Sequence, residues 1–366
     1  MDKSLLKPKP RGWRLWLQSV FGINPTRWIV QFAFLVLVIW IGWEFHRFVS
    51  MAESARPDEF VSLPERPPGV EGFLPISGLI GIRHWASTGE LNTIHPAATV
   101  LLIVFVAISW LLRKSFCSWI CPVGALSEYL WKLGRFFFRR SVAPWRWIDI
   151  PPRALKYLLL LFFLYAIFWA MDALAIQSFI DSPYNRVADV KMYMFFARIS
   201  PFALKTVVVL ALLSIIIKNF WCRYLCPYGA LLGFFSRISP TTVRRDEETC
   251  IDCGKCAVAC PSYLPVDKVK DVRSVECTGC LDCVAVCPVT PALRVRTAGI
   301  GHSLSFAEFA AAVVLLFMLG VGAARLTGCW QNTITAQEYH RRIREIDSPI
   351  YAHPGARSDP AVSARR

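Results

Sequence analysis

The sequence lacks the patterns that mark several common function classes. No basic run stands in the context of a nucleic-acid-binding motif, although Lys and Arg outnumber Asp and Glu by 41 to 26. No kinase-like segment is visible. The first long apolar run, residues 28–45, leads to His46 and Arg47 and not to a small-residue cleavage site. The first absence argues against a nucleic-acid partner. The missing cleavage site argues against a cleavable signal peptide, so residues 28–45 are predicted to form a retained membrane anchor.

Long apolar stretches are abundant. Hydrophobic residues make up 55% of the 366-residue chain, which is typical of a membrane protein. Five stretches approach the roughly 20 residues that a bilayer-spanning helix needs. They are residues 28–45, 96–112, 155–176, 201–217 and 306–324. The sequence therefore predicts an all-α membrane protein of about five transmembrane helices, surrounded by membrane lipid.

Basic residues are unevenly distributed among the segments that join these stretches. One alternate set of segments holds 26 Lys and Arg and the other holds 15, and the positive-inside rule places the richer set in the cytoplasm. In a bacterial inner membrane this predicts a basic cytoplasmic N-terminus, a membrane domain, a cytoplasmic cysteine-rich domain, a last transmembrane helix and an outer tail with little core of its own. Their predicted bounds are residues 1–27, 28–245, 246–297, 306–324 and 325–366.

Cysteine carries the strongest chemical signal. Twelve of the 13 cysteines are clustered in segments assigned to the cytoplasm, where metal thiolates are favoured over disulfides; Cys329 stands alone after the last apolar stretch. Residues 250–261 and 277–288 both follow Cys-x2-Cys-x2-Cys-x3-Cys-Pro, the run of bacterial two-cluster ferredoxins. In that arrangement three thiolates hold one cubane and the fourth reaches the other cluster.

This run predicts two 4Fe-4S clusters with crossed ligands in a small α+β domain. Cluster one takes Cys250, Cys253, Cys256 and Cys287, and cluster two takes Cys277, Cys280, Cys283 and Cys260. Zinc is the alternative, because Cys-x2-Cys pairs also bind it, but four-coordinate zinc requires neither the third cysteine nor the following proline. With every iron corner ligated and no candidate acid–base pair nearby, the block is predicted to relay electrons.

The other four clustered cysteines form two Cys-x3-Cys-Pro motifs. The motif ending at Pro122 recurs 105 residues later at Pro227, and six of fourteen aligned positions (113–126 on 218–231) are identical. Both copies fall on one membrane side, which predicts two parallel helix repeats. Facing each other, the four thiols offer a third redox site, with iron–sulfur, copper or a reversible disulfide all open; alternatively they pack as small apolar groups. These cysteines are Cys117, Cys121, Cys222 and Cys226.

The order of these motifs resembles a known family. It is similar to the NapH/NosR-type membrane-bound 4Fe-4S ferredoxins and to the CcoG/FixG-type oxidase-assembly proteins, over residues 95–297. The stretch EGFLPISGLIGIRHW (71–85) is similar to the outer loop of the NosR type. The resemblance implies membrane electron transfer between the quinol pool and a partner reductase or maturation system, as in a quinol dehydrogenase subunit.

The expected function is therefore a relay of electrons between a membrane donor, such as quinol, and a redox partner protein. His84 and His95 bracket the predicted outer mouth of the second helix and form a candidate quinone site. Two alternatives remain open at this point. One is a metal-reducing, cupric reductase-like assembly factor for a respiratory oxidase, and the other is a redox-sensing membrane regulator that acts through a separate partner.

Overall fold

A computed structural model describes residues 24–54, 64–138 and 145–353. Most of the predicted N-terminal segment 1–27 and the end of the predicted tail, from residue 354, lie outside this part of the chain. The described helices are α1 Pro25–Ser54, α2 Pro75–Thr88, α3 Pro96–Leu111, α4 Phe116–Trp119, α5 Pro122–Phe138, α6 Arg146–Tyr165, α7 Ala173–Ile180, α8 Pro183–Arg186, α9 Ala188–Ala197, α10 Pro201–Ile216, α11 Phe220–Tyr224, α12 Pro227–Arg237, α13 Lys255–Ala259, α14 Asp282–Val286, α15 Phe306–Leu326 and α16 Ala336–Arg344. The strands are β1 Thr241–Arg245, β2 Asp271–Val272 and β3 Leu293–Thr297.

Each of the five predicted apolar stretches lies largely in a helix. Three helical segments are long and apolar enough to cross a membrane, namely Pro25–Ser54, Trp147–Ala170 and Phe306–Leu326. The bent pair α9 and α10 makes a fourth if it counts as one span. The helices α3 and α10 have 16 residues each, or about 24 Å, which is shorter than the ~30 Å hydrocarbon core. The described part of the chain is thus mostly helical, with three or four candidate membrane spans by length and composition.

The third apolar helix starts and ends earlier than its predicted range of 155–176. It begins at Arg146 and finishes in a π-helical turn, Ala166–Ala170. The next helix is capped by Asp172, whose carboxylate accepts a hydrogen bond from the Ala175 amide at 2.7 Å. An Asp in this role satisfies a free amide at a helix start, so the chain breaks here although the apolar run continues.

The chain forms two compact units, each assembled from three separate stretches. The first contains residues 104–161, 205–318 and the chain up to residue 37, and it holds all twelve clustered cysteines. Its antiparallel sheet has the order β2-β1-β3, and Val243 is paired with Val272 on one side and Val295 on the other. These three valines are buried. The strand β1 begins at Thr241, before the predicted domain start at 246, and pairs with both β2 and β3.

The second unit contains residues 38–103, 162–204 and the chain from 319 onward. The sequence predicts little core in the tail, but the helix α16 packs its apolar face into this unit. Tyr339, Ile343 and Ile346 are buried in one apolar cluster with Phe48. Tyr339 and Ile343 are four residues apart on one face of α16, and Ile346 lies just after the helix, so a short amphipathic pattern is present in the tail. The described part of the tail, up to residue 353, therefore contributes to the core of the second unit.

Candidate metal centres

Four cysteines line a cavity beside β1 and β3, and they come from both ferredoxin-type runs. The lining cysteines are Cys250, Cys253, Cys256 and Cys287. Cys287 follows α14 in the second run, and α13, which carries Cys256, packs against α14. Three residues of one run and the last residue of the other thus share one cavity.

A second cavity has the reciprocal lining. Its cysteines are Cys260, Cys277, Cys280 and Cys283. Three of these are buried, whereas Cys253 in the first cavity is exposed. Much of the remaining wall is apolar and includes Val243, Val266 and Val272. The two cavities therefore differ in access to solvent, although their cysteine sets are equivalent.

The two runs adopt the same unusual backbone at equivalent positions. Asp252 and Gly254 have positive φ in the first run, and Gly279 and Leu281, 27 residues later, have positive φ in the second. Left-handed residues next to helical ones create turns whose amides bind anions and iron–sulfur clusters. Gly254 and Leu281 immediately precede α13 and α14. Leu281 pays the steric cost that glycine avoids in this conformation, which indicates that the loop geometry is required.

The donor sets fit 4Fe-4S cubanes. Each cavity offers four thiols, the ligand number of such a cluster, and the thiols are distributed around the cavity. Among the residues that the structure describes, no group of three or more His, Cys, Asp or Glu could hold a single metal ion, so the wider arrangement of thiols around each cavity fits a cluster rather than one ion. Burial raises the pKa of Cys260 to about 11 and raises those of Cys280 and Cys283 well above their usual range. Metal ligation requires thiolates, which burial disfavours. The positive charge of iron would offset this unfavourable burial of the thiolate form.

The Cys-x3-Cys-Pro pairs also come together in the first unit. Burial, reinforced by neighbouring thiols of both pairs, raises the pKa of Cys117 to about 12 and that of Cys222 well above its usual range. Each pair lies on a short helix and the turn after it, α4 or α11. Pro122 and Pro227 then begin α5 and α12, as proline favours the first helical position. The four predicted thiols are therefore close enough to interact electrostatically with one another.

Equivalent glycines in the two copies have different surroundings. A Cβ on Gly124 would lie 2.1 Å from the carbonyl oxygen of Cys117, whereas a Cβ on Gly229 would lie 3.6 Å from its nearest neighbour, the Cys226 sulfur. In the first copy the start of α5 at Gly124 packs closely against the backbone of Cys117. In the second copy there is room for a methyl group.

We expect Gly124→Ala to destabilise the protein and Gly229→Ala to leave its stability unchanged or slightly increased. The first substitution forces backbone apart, at a cost of about 1–3 kcal/mol, whereas alanine favours a helix over glycine by up to about 1 kcal/mol. Thermal unfolding of the two variants in the same detergent measures the difference. Equal shifts in Tm would contradict the asymmetry between the two copies.

A buried charge cluster involves Lys114, Lys156 and Glu276 of the first unit. The Lys156 ammonium is fully buried and contacts both carboxylate oxygens of Glu276 at 2.7 Å, and the Tyr157 hydroxyl donates to the same carboxylate at 3.0 Å. Burial by itself lowers the pKa of Lys114, but Glu276 and nearby thiols, including that of Cys117, outweigh it and raise that pKa. Glu276 directly precedes Cys277 of the second cavity, and Lys114 interacts electrostatically with Cys117, so this cluster is associated with both cysteine sets.

Sequence reasoning missed Lys156 and Glu276. Lys156 lies at the edge of the apolar run 155–176, and an ionisable residue in such a run indicates a specific partner. The position of Lys156 in an apolar run indicates that a partner exists, but it does not identify Glu276, which lies 120 residues away. The pairing could be found only after folding.

The two candidate quinone-site histidines lie in the second unit and contact protein groups through both ring nitrogens. His84 contacts the Glu90 carbonyl and the Gln177 side chain, each at 2.9 Å. His95 contacts the Glu71 carboxylate at 3.3 Å and the Asn185 carbonyl at 2.6 Å. A quinone would have to replace one of these contacts, so the quinone role of both histidines stays a prediction.

His95 belongs to a buried charge network of the second unit. Arg66 contacts Asp189 at 2.6 Å and Glu71 at 2.8 Å, and Tyr339 of α16 donates to Asp189 at 3.1 Å. Buried charges are tolerated when they are paired and hydrogen-bonded. This network therefore accounts for the attachment of the tail helix through polar contacts as well as through its apolar face.

Family models match the cysteine-bearing regions. The model described as a 4Fe-4S binding domain matches twice, at residues 94–141 and 199–245, and these starts are 105 residues apart, as are the two cysteine motifs. The model described as a 4Fe-4S dicluster domain matches residues 242–288. The double match supports an internal repeat, each copy of which contains one Cys-x3-Cys-Pro motif.

Several named proteins are similar to the chain. The Escherichia coli putative electron transport protein YccM is 44% identical over 337 residues, which cover 90% of this chain and 93% of that protein. The E. coli ferredoxin-type protein NapH is 28% identical, over 57% of this chain and 70% of its own length. The Pseudomonas aeruginosa regulatory protein NosR is 30% identical, over 54% of this chain and 30% of its own length. No solved structure matches the chain significantly.

Proposed function

The chain belongs to the family of 4Fe-4S ferredoxin-type membrane proteins that includes YccM, and from this premise we propose that it transfers electrons between a membrane donor and a redox partner protein. Two 4Fe-4S clusters supply one-electron carriers when bound. The observation that carries the proposal is the reciprocal lining of the two cavities. Each cavity has three cysteines of one run and the fourth cysteine of the other, which are the ligands expected for clusters one and two.

The two cavities differ in their surroundings, which supports different roles for the two clusters. The loop of the second cavity contacts the segment of the first Cys-x3-Cys-Pro motif: Trp119 donates to the Gly279 carbonyl at 3.0 Å, and Ser118 donates to the Thr278 carbonyl at 2.6 Å. The first cavity has Cys253 at the exposed surface. We therefore assign the membrane donor, quinol by chemical class, to the cluster-two end and the partner protein to the cluster-one end.

The four thiols of the Cys-x3-Cys-Pro motifs are proposed as a third redox site. Their support is threefold: they are mutually close, the buried cations Lys114 and Lys156 lie near them, and both copies match a 4Fe-4S binding model. Cations favour the thiolate forms that a metal needs. In this proposal the segments that carry the twelve clustered cysteines face the bacterial cytoplasm.

The proposed function is tested by electron exchange with a quinone analogue. Protein purified without oxygen is reduced, mixed with the analogue or with chelated Cu(II), and followed by the visible absorbance of its clusters. We expect the quinone analogue to reoxidise the clusters and the matching quinol to reduce them. Rapid exchange with Cu(II) and none with either quinone form would overturn the proposal and favour a metal-reducing assembly factor. The Cys280→Ala variant, which should lack cluster two, controls for direct chemical oxidation of cluster one by the analogue.

A further inference from the structure

A buried arginine at the start of α1 connects three parts of the first unit. Arg27 is 2% exposed, and its guanidinium contacts Glu128 on α5 at 2.6 and 2.7 Å. The same group contacts both carboxylate oxygens of Asp282, at 3.0 and 3.1 Å. Asp282 begins α14 and stands between Cys280 and Cys283, two of the cysteines that line the second cavity. The guanidinium is also close enough to interact electrostatically with Cys280.

The groups around Arg27 carry a balanced set of charges. Lys132 contacts Glu128 at 2.7 Å, and the Gln31 amide donates to Glu128 and to the Ser118 carbonyl. Two cations and two carboxylates therefore lie together away from water. Electrostatic interactions are strong in such a setting, and loss of one member leaves an uncompensated buried charge.

From this geometry we propose that Arg27 is a positioning residue for cluster two, which holds the Cys280–Cys283 turn through Asp282 and raises the reduction potential of that cluster alone. The inference rests on the proposed function, since it requires cluster two. Reduction adds a negative charge to a cluster, so a fixed nearby cation stabilises the reduced form. Charge, hydrogen bonding and burial are the means by which proteins set cluster potentials. Cluster one has an arginine of its own, Arg245, which lines the first cavity and contacts Asp252 at 3.1 Å.

Redox titrations followed by electron paramagnetic resonance test this proposal in the full-length, cluster-loaded protein. The Cys280→Ala variant identifies the cluster-two signal. We expect Arg27→Gln to lower the midpoint potential of cluster two and to leave that of cluster one unchanged. Arg27→Lys keeps the charge and should restore most of the potential, whereas Asp282→Asn removes a negative charge and should raise it. Arg245→Gln is the matched control, with the shift confined to cluster one.

The outcomes separate the inference from the proposed function. Absence of both cluster signals in the wild-type protein would refute the proposed function itself. Two clusters with an unchanged cluster-two potential in Arg27→Gln, or equal shifts of both clusters, would overturn the inference alone. If Arg27→Gln fails to retain cluster two, Asp282→Asn decides: a raised cluster-two potential supports the electrostatic role, and an unchanged one refutes it.

Discussion

Cys260→Ala will abolish cluster two and spare cluster one, although Cys260 belongs to the first cysteine run. The reason is that Cys260 lines the second cavity together with three cysteines of the second run. A cubane that loses one of four thiolates loses its fourth protein ligand, and we expect that cluster to be lost on purification. Iron should fall by about four atoms per chain, and the spectroscopic signal of cluster two should disappear.

Cys287→Ala is the reciprocal experiment. It lies in the second run but lines the first cavity, so it should remove cluster one and spare cluster two. Cys329→Ala is the matched control, because Cys329 lies outside both cavities. Loss of cluster one in Cys260→Ala, with cluster two retained, would show that each run ligates its own cluster and would contradict the crossed arrangement.

Lys156→Met is expected to destabilise the protein by about 3–5 kcal/mol, the cost typical of breaking a buried ion pair. Lys156 is fully buried, and its removal leaves the Glu276 carboxylate without its closest cation. The measurement is thermal or denaturant unfolding in detergent, together with retention of iron, because Glu276 adjoins Cys277. Removing both charges in Lys156→Met/Glu276→Gln should recover much of the loss.

Arg153→Ala is the matched control for this prediction. Arg153 pairs with Asp149 near the same end of α6, but it is partly exposed, and Asp149 keeps its contacts with Arg223. Loss of such a pair should cost no more than about 1 kcal/mol. If Lys156→Met proved as mild as Arg153→Ala, the buried pair would not be a major determinant of stability.

The same pair makes stability depend on pH. Burial alone raises the pKa of Glu276, but the charges of Lys114 and Lys156 outweigh it and lower that pKa from 4.5 to about 2. A carboxyl group whose pKa is lowered by folding stabilises the folded state above its ordinary pKa, and this contribution is lost as pH falls towards the folded value. Lys156→Met should therefore reduce stability at neutral pH more than at pH values near 2.

Much of the candidate site could be predicted from the local spacing of cysteines. The eight ferredoxin-type cysteines and both Cys-x3-Cys-Pro pairs follow short patterns whose chemistry is defined within a dozen residues. The apolar helices were predictable for the same reason, because hydrophobic length is a local property. Their ends were not, since the Asp172 cap starts a new helix inside an apolar run.

Long-range polar partners could not be predicted from one sequence. Arg27 and Asp282 are separated by 255 residues, and Lys156 and Glu276 are separated by 120. No local sequence pattern predicts either pair. Such pairs depend on how elements meet after folding. The tail helix was missed for a different reason: the polar composition of residues 325–366 masked a short amphipathic face containing Tyr339.

The most direct test of the central claim is the iron and acid-labile sulfide content of the full-length protein purified without oxygen. Two 4Fe-4S clusters predict at least eight iron and eight sulfide per chain, and eight of each should remain when Cys222→Ser disables the third site. Iron above eight in the wild-type protein that is lost in Cys222→Ser would place a metal at the four thiols. Stoichiometric zinc without sulfide, or fewer than eight irons in fully loaded protein, would contradict the account.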